Sequence, residues 1–190
     1  ISRRPFCRPA NGPKKSTDKV FVTDLFTAWY IVSENLNDDF GNTMTSRILV
    51  LNGPNLNLLG TRETDIYGTQ SLADIEAAVT QRAVAAGLAV EFLQTNSESQ
   101  LVDWVQSARD RAAGLIVNAG AYTHTSVALL DALRMVDMPI VEVHLSNIFR
   151  REEFRHHSYV SQAATGMIAG FGSHGYELAV DALTKLIAKA

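Results

Sequence analysis

From Met44 onward, short apolar runs alternate with longer segments that repeat apolar residues at helical spacing. The first run, Arg47 to Leu51, is aliphatic and is followed by the turn-forming sequence Asn-Gly-Pro-Asn, a pattern typical of a buried strand. Strands that alternate with helices form right-handed βαβ units around a parallel sheet. We therefore predict an α/β fold in which residues 44–190 form a single flavodoxin-like domain, doubly wound around a five-stranded parallel sheet.

The bounds of the elements follow from the same periodicity. Ser71 begins the first helix, and Asp74 three residues later makes an acidic variant of the capping box. Ser97 and Gln100 mark the start of the second helix in the same way. The predicted strands are 47–51, 88–93, 115–117, 139–143 and 166–169, and the predicted helices are 71–87, 97–113, 125–136 and 173–189.

The composition excludes several classes of protein. The 190 residues are 46% hydrophobic and 19% charged, with no apolar run near the roughly 18 residues of a membrane span. Lys and Arg number 17 against 20 Asp and Glu, and the resulting pI near 5.9 offers no basic surface to a nucleic acid. The single cysteine, Cys7, excludes an internal disulfide and a cysteine metal cluster. We expect a soluble cytoplasmic protein with neither a membrane nor a nucleic-acid partner.

Residues 1–43 differ from the rest because they lack helical or alternating periodicity. They include acidic residues such as Asp24 and Asp38, whereas organellar transit segments are poor in acids. The sequence Met-Thr-Ser at Met44 stands immediately before the first predicted strand. We interpret 1–43 as an N-terminal leader, either an expression scar or an upstream translation product, and predict no function for it.

Polar residues suited to chemistry follow three of the predicted strands. The carboxyl ends of parallel strands meet at one edge of an open α/β sheet, where such proteins bind ligands. The loop after the first strand, which contains Arg62 and Tyr67, is long enough to be a binding loop or lid. Arg150 and Arg151, beside two glutamates, are interpreted as a solvated charge run. The candidate residues at this edge are Asn52, Asn55, Asn118, Thr123, His124, Thr125, His144, Ser146, Asn147 and Arg155.

Two familiar kinds of site fit the sequence less well. The stretch from Gly170 to Gly175 matches G-x-G-x-x-G, but it follows the last predicted strand and leaves no room for the second half of a dinucleotide site. We interpret these glycines as a strand-to-helix turn. No metal is predicted, because the candidate ligands have no recognised spacing; they are His124, Asp131, Glu142 and His144.

Acid–base chemistry without a covalent intermediate is the remaining possibility. After Met44 the only lysines are Lys185 and Lys189, on the last predicted helix, which disfavours a Schiff base. Glu142 and His144 are two residues apart on the predicted fourth strand, so their side chains share a face. The carboxylate could fix the tautomer of the imidazole and prepare it as a proton donor. A purely structural Glu–His pair beneath a loop remains an open alternative.

Five ordered motifs in this sequence resemble those of the type II 3-dehydroquinate dehydratases. They extend from the first predicted strand to the segment before the fifth, and the resemblance covers the chain from about Arg47 to its end. The motifs are Leu51-Asn-Gly-Pro-Asn-Leu-Asn-Leu-Leu-Gly60, Arg62-Glu63 with Tyr67-Gly68, Asn118-Ala-Gly-Ala-Tyr-Thr-His-Thr-Ser126, Glu142-Val-His-Leu-Ser-Asn147 and Arg151-Glu-Glu-Phe-Arg-His-His-Ser158.

The resemblance implies a dehydration of 3-dehydroquinate to 3-dehydroshikimate that needs no cofactor and proceeds by anti elimination through an enolate. In that family the residue matching Tyr67 removes a C2 proton, and the residue matching His144 protonates the departing C1 hydroxyl. Arg62 is expected to lower the pKa of this tyrosine, and Glu142 to support the histidine. The resemblance also implies that Asn55 holds a water at the enolate oxygen. It implies that Asn118 and the backbone amides of Leu145 and Ser146 bind the carboxylate, and that His124 and Arg155 contact the hydroxyls. Asp131 matches a residue that reaches a neighbouring subunit's site.

The resemblance also implies an assembly and a pathway. The family forms dodecamers of four trimers and serves the shikimate or the quinate pathway. Thr64 stands where many members have proline, so we expect this lid to be less ordered when empty. Two other interpretations remain open: a catalytically silent flavodoxin-like subunit that binds a small anion, and an isomerase or lyase acting on another cyclic hydroxy acid.

Overall fold

The sheet confirms the predicted fold class. The structure is a computed structural model that describes residues 46–60 and 70–189. Its strands are β1 (Arg47–Asn52), β2 (Ala89–Gln94), β3 (Gly114–Asn118), β4 (Ile140–His144) and β5 (Gly166–Ala169). They form one five-stranded sheet in the order β2-β1-β3-β4-β5, and every pair is parallel. This is the flavodoxin-like strand order.

Four α-helices cover the sheet. They are α1 (Leu72–Ala85), α2 (Glu98–Ala108), α3 (Val127–Leu133) and α4 (His174–Ile187). The predicted capping box of α1 is present, since Ser71 Oγ accepts from Asp74 N and Asp74 Oδ2 accepts from Ser71 N. Short 3-10 helices lie in the connections, at Leu56–Leu58, Gly120–His124, Ile148–Arg150, Glu153–Arg155 and Val160–Gln162.

The helices form two layers because successive residues of each strand face opposite sides of the sheet. Ile48 and Val50 of β1 face the layer of α1 and α4, and Leu49 and Leu51 face the layer of α2 and α3. All four side chains are fully buried. Burial of each side chain stabilises the fold by about 1.5 to 3 kcal/mol before the loss of conformational entropy is counted. Packing on β1 therefore holds both helix layers against the sheet.

Two predicted helices are shorter in the structure. Helix α2 ends at Ala108 rather than residue 113, because Ala113 N already donates to Arg47 O at 2.7 Å and the chain must have entered the sheet by then. Helix α3 begins at Val127 rather than residue 125, because Ser126 is its N-cap and accepts from Leu129 N at 2.9 Å. The residues before this cap form a 3-10 helix that periodicity did not reveal.

The carboxyl ends of β1 and β3 define the topological switch point, where the connections leave in opposite directions. The two backbones approach closely here, with Gly53 N donating to Asn118 O at 2.8 Å. A Cβ atom on Gly53 would lie 2.2 Å from Ala119 O, so only glycine fits this position. The close approach brings the residues that follow β1 and β3 to one place.

Some predictions concern residues outside the described part of the chain. The leader at 1–43 and the lid residues Arg62, Thr64 and Tyr67 lie outside the described residues. Within residues 46–60 and 70–189, no helix is long and apolar enough to cross a membrane. The same described ranges contain no group of three or more His, Cys, Asp or Glu side chains arranged to hold a metal ion.

Candidate active site

A cavity of about 150 Å³ lies at the switch point, between the segments that follow β1, β3 and β4. Apolar side chains such as Leu56, Leu59 and Ile148 form part of its wall. Most of the predicted site residues reach it from different connections. The predicted residues that line it are Asn55, Asn118, His124, His144, Leu145, Ser146 and Arg155.

A buried polar pair beside this cavity is the one predicted on β4. His144 Nε2 lies 2.8 Å from Glu142 Oε1, and the two side chains are almost completely buried. A carboxylate can only accept, so the Nε2 nitrogen holds the hydrogen and Nδ1 is the ring nitrogen left to exchange a proton with a ligand. The predicted sharing of one strand face is thereby confirmed, and the carboxylate fixes the imidazole's orientation.

Three hydroxyls surround the same carboxylate. Glu142 Oε1 accepts from Thr123 Oγ1 at 2.6 Å and from Ser158 Oγ at 2.7 Å, while Oε2 accepts from Ser161 Oγ. We call Thr123, Glu142, His144, Ser158 and Ser161 the carboxylate cluster. A buried charge is stable only when its acceptor sites are filled, and here both oxygens have donors.

The donors decide the protonation state of Glu142. Burial alone would raise the pKa of this carboxyl, but the hydrogen bonds from His144, Ser161 and Thr123 and the charge of His144 together lower it below its ordinary value. Glu142 is therefore ionised near neutral pH. The carboxylate beside Nε2 fixes the orientation and the tautomer of the imidazole.

His124 has a different environment from His144, although the two rings stack with centroids 6.3 Å apart. Its Nδ1 lies 2.8 Å from the carbonyl oxygen of His157, which can only accept, so Nδ1 carries a hydrogen. Burial and the positive charges of His144 and Arg155 outweigh this bond and lower the pKa of His124. A neutral His124 leaves Nε2 as an acceptor, suited to a ligand hydroxyl.

The backbone conformation of Asn55 places it at the cavity mouth. Its φ of 67° is in the left-handed region, which asparagine tolerates better than most residues. Asn55 N donates to Asn96 Oδ1 at 2.9 Å, and that oxygen also accepts from Gln94 Nε2. The end of β2 thus fixes the position of Asn55, a contribution that the sequence did not reveal.

A second buried polar group reaches the cavity through Asn118 and Gly120. Tyr176, on α4, donates from its hydroxyl to Asn52 Oδ1 at 2.6 Å and accepts from Asn118 Nδ2 at 2.8 Å. Asn118 Oδ1 in turn accepts from Gly120 N at 3.3 Å. We call Asn52, Tyr176, Asn118 and Gly120 the amide relay.

The cationic side of the cavity differs in part from the prediction. Arg155 lines the cavity as predicted and donates from Nε to Glu152 Oε2 at 2.9 Å. The interpretation of Arg151 as part of a solvated charge run is wrong, because its side chain is only 19% exposed and also lines the cavity. Arg150 is exposed, as expected. The two lining guanidiniums are suited to an anionic ligand.

One predicted site residue does not lie at the cavity. Asp131 is exposed on α3 and is absent from the lining. Thr123, a strand-end candidate without a specific role, contacts Glu142. Three residues that sequence reasoning gave no role also contact site residues, and these are Ser158, Ser161 and Tyr176. Thr123 and Ser158 lie within the quoted motifs, whereas Ser161 and Tyr176 lie outside them and had no sequence signal.

The Gly170 to Gly175 stretch forms the turn that joins β5 to α4, as interpreted from the sequence. Gly170 has a φ of 91° and Gly172 a φ of 58°, both in the region that favours glycine. Gly170 N donates to His144 O and Gly172 N to Leu145 O, so this turn supports the end of β4. None of these glycines lines the cavity.

Comparison with known proteins identifies close relatives of the described domain. The family model described as "Dehydroquinase class II" matches residues 46–184. The chain is 59% identical over 138 residues to "3-dehydroquinate dehydratase 2" of Pseudomonas aeruginosa, which covers 73% of this chain and 93% of that protein. It is 57% identical over 143 residues to "3-dehydroquinate dehydratase" of Methylobacterium radiotolerans, covering 75% of this chain and 96% of the relative.

Solved structures agree with the sequence comparison. The type II dehydroquinase from Propionibacterium acnes superposes with a TM-score of 0.72 at 46% identity, covering 76% of this chain and 99% of that one. The type II dehydroquinase from Butyrivibrio crossotus superposes with a TM-score of 0.71 at 41% identity, covering 73% and 97%. Both the fold and the sequence of the domain are therefore similar to those of this group.

Proposed function

Since this chain belongs to the dehydroquinase class II family, it is a hydro-lyase that dehydrates 3-dehydroquinate, and from this premise we propose the roles of its residues. The product is 3-dehydroshikimate. The reaction removes a proton from C2 and the hydroxyl from C1 in an anti elimination, with an enolate between the two steps. Tyr67 takes the C2 proton, and His144 returns a proton to the departing hydroxyl, which leaves as water. No cofactor is required.

The observation that supports this proposal is the Glu142–His144 pair beside the cavity. The 2.8 Å bond from Nε2 to Oε1 commits one ring nitrogen to the carboxylate and leaves Nδ1 for the leaving hydroxyl. An ionised, buried Glu142 holds the imidazole in one orientation and one tautomer, so that Nδ1 is the nitrogen available to the substrate. Glu142 therefore acts as a positioning and electrostatic partner, while His144 is the group that touches the substrate.

The other lining residues have roles that fit their chemistry. Asn55 holds a water against the developing enolate oxygen, which is an electrostatic role. Asn118 and the backbone amides of Leu145 and Ser146 bind the substrate carboxylate. His124 and Arg155 contact the substrate hydroxyls. Arg62 supplies a guanidinium that favours the phenolate form of Tyr67.

We extend the proposal to the assembly. A dodecamer of four trimers would bring Asp131 to the site of a neighbouring subunit, in keeping with its exposure on α3 and its distance from the subunit's own cavity lining. The enzyme would serve the shikimate or the quinate pathway in the cytoplasm. Its partners are then the substrate and further copies of the same chain, with no nucleic acid and no membrane.

The test is the ultraviolet absorbance of the conjugated enone formed from 3-dehydroquinate. We expect the wild type to form product, also after borohydride treatment in the presence of substrate, because no imine is involved. Tyr67→Phe should lose most turnover while the protein stays folded and assembled. Tyr122→Phe is the matched control, since its hydroxyl bonds Asn96 O outside the cavity lining.

Each outcome distinguishes between functions. Full turnover in Tyr67→Phe would contradict the assignment of the base. No product from the wild type would favour the silent binding subunit or a lyase for another cyclic hydroxy acid. Loss of turnover after borohydride treatment would contradict an elimination without an imine.

A further inference from the structure

Tyr176 lies in the core of the domain yet touches a residue of the site. Its side chain is 0% exposed, and it belongs to α4, the last helix, which no motif of the active site includes. Its hydroxyl stands between Asn52, at the end of β1, and Asn118, at the end of β3. The three side chains therefore join the two strands of the switch point to the helix behind them.

The hydrogen bonds of the amide relay permit only one arrangement of donors and acceptors. Asn52 Nδ2 donates to Leu93 O at 3.0 Å, and a carbonyl cannot donate, so Oδ1 of Asn52 must face the phenol. The phenol then donates to Asn52 and must accept from Asn118 Nδ2. At the other end, Gly120 N can only donate, which fixes Asn118 Oδ1 as the acceptor.

A phenol in this position keeps its proton. Complete burial raises the pKa of Tyr176 well above its ordinary value, and the bond from Asn118 offsets only part of this effect. The hydroxyl is therefore a permanent donor to Asn52 and a permanent acceptor for Asn118. Neither amide can rotate by half a turn without placing like groups against each other, which costs about 1 to 3 kcal/mol for each unsatisfied buried group.

We propose that Tyr176 is a positioning residue that holds the carboxamide of Asn118 in the one orientation able to receive the substrate carboxylate. One N–H of Asn118 is bonded to the phenol, and the second remains for the cavity that Asn118 lines. The inference rests on the proposed role of Asn118 in carboxylate binding. It assigns the last helix a part in substrate affinity that its sequence does not suggest.

The decisive variant is Tyr176→Phe, which keeps the ring in the core and removes only the hydroxyl. Asn118 then keeps only the bond from Gly120 N at 3.3 Å, and its carboxamide is held less firmly. Carboxylate binding contributes equally in ground and transition states, so its loss raises KM with little change in kcat. We expect KM to rise about threefold to tenfold and kcat to stay within about twofold.

Two controls separate this effect from simple destabilisation. Val180→Ala, on the same helix, removes buried apolar volume without touching either amide, and should lower the melting temperature with KM unchanged. Tyr122→Phe removes a phenol hydroxyl that bonds a backbone carbonyl and should also leave KM unchanged. A KM increase in Val180→Ala comparable to that in Tyr176→Phe would overturn the positioning role.

A double-mutant cycle with Asn118→Ala distinguishes failure of this inference from failure of the proposed function. Asn118→Ala should raise KM about tenfold or more, and Tyr176→Phe should add almost nothing in the Asn118→Ala background. An unchanged KM in Asn118→Ala would contradict the carboxylate role itself. A raised KM there, together with an unchanged KM in Tyr176→Phe or with additive effects, would overturn the positioning role of Tyr176.

A second variant keeps the test available if Tyr176→Phe does not fold. Asn52→Ala removes the acceptor of the Tyr176 hydroxyl, which can then turn toward Asn118. The carboxamide of Asn118 is then held less firmly in its orientation. We expect a KM increase of about twofold to fivefold, again suppressed in the Asn118→Ala background. An unchanged KM in Asn52→Ala would overturn the inference.

Discussion

The carboxylate cluster and the amide relay are two buried polar groups beside one cavity, and they differ in charge. Glu142 in the cluster is an ionised side chain with donors from Thr123, His144, Ser158 and Ser161. The relay is neutral throughout. Among the residues that the structure describes, no buried side-chain nitrogen or oxygen lacks a partner, so both groups are fully satisfied.

The difference shows what each arrangement can do. A charge held by several donors responds to protonation, so the cluster can support a residue that gives and takes a proton. A neutral relay whose ends are backbone groups has a single hydrogen-bonding pattern, so it holds an orientation that does not change with pH. The first kind of group suits catalysis, and the second suits recognition.

The largest effect is expected at the proton donor of the cluster. His144→Ala removes the proposed general acid, and kcat should fall by about 10² to 10⁴-fold, with a smaller change in KM. The enone absorbance assay measures this loss directly. His174→Ala is the matched control, because that imidazole is 62% exposed on α4, and its rate should equal that of the wild type. A fall in kcat of less than tenfold in His144→Ala would contradict the assignment.

The second largest effect is expected when a charge is placed in the neutral relay, and this effect is a loss of stability. In Asn52→Asp, a carboxylate would face the carbonyl of Leu93 with only the Tyr176 hydroxyl as donor. We expect the free energy of unfolding at pH 7 to fall by about 3 to 5 kcal/mol. Burial raises the pKa of such a carboxyl, so the deficit should shrink as pH falls through that raised pKa and the group becomes neutral.

Urea denaturation at pH 7 and pH 5 measures this prediction. Asn96→Asp is the control, because Asn96 is exposed and its Oδ1 already accepts from Asn55 N and Gln94 Nε2. Its unfolding free energy should change by less than about 1 kcal/mol. Equal stability of Asn52→Asp and the wild type at pH 7 would show that the relay tolerates charge.

Removing the charge from the cluster is the converse experiment. In Glu142→Gln the amide oxygen can keep the donors of Oε1, and the amide nitrogen can donate to Ser161. We expect kcat to fall about tenfold, since the charge behind His144 is lost, and the unfolding free energy at pH 7 to fall by about 1 to 3 kcal/mol. The variant should remain folded.

The sign of the pH dependence distinguishes this variant. Since the pKa of Glu142 is lowered in the folded protein, its charge stabilises the fold above the ordinary carboxyl value, about 4.3. This contribution is lost as pH falls through the lowered folded value. The stability gap between wild type and Glu142→Gln should therefore be constant above about pH 5 and close below it. A gap that does not begin to narrow as pH falls below the ordinary carboxyl value would contradict the lowered pKa and the charged state of Glu142.

The smallest effect is expected for a single donor of the cluster. Ser158→Ala leaves Thr123 and His144 bonded to Oε1, and the unfolding free energy should fall by about 1 to 2 kcal/mol. Ser107→Ala removes an exposed hydroxyl that bonds Trp104 O and should change it by less than about 0.5 kcal/mol. Equal effects of the two substitutions in urea denaturation would show that the cluster does not depend on each donor.

The sequence predicted the elements better than it predicted their contacts. The capping box at Ser71 and the N-cap at Ser97 are present, because these are local bonds between residues three apart. The pairing of Glu142 with His144 was also foreseeable, since residues two apart on a strand share a face. The start of α3 was predicted at Thr125 rather than Val127, because Ser126 was not recognised as the N-cap.

The sequence by itself determined the order of strands and helices along the chain, the doubly wound class and most of the residues at the cavity. Each of these follows from periodicity and from motifs read along the chain. Only the tertiary structure decided that Tyr176 meets Asn52 and Asn118, which are 124 and 58 positions away. It also decided that Thr123, Ser158 and Ser161 meet at Glu142. The physical reason is that a hydrogen bond requires placement to within a few tenths of an ångström, and across such separations only the packing of both helix layers on the sheet provides it.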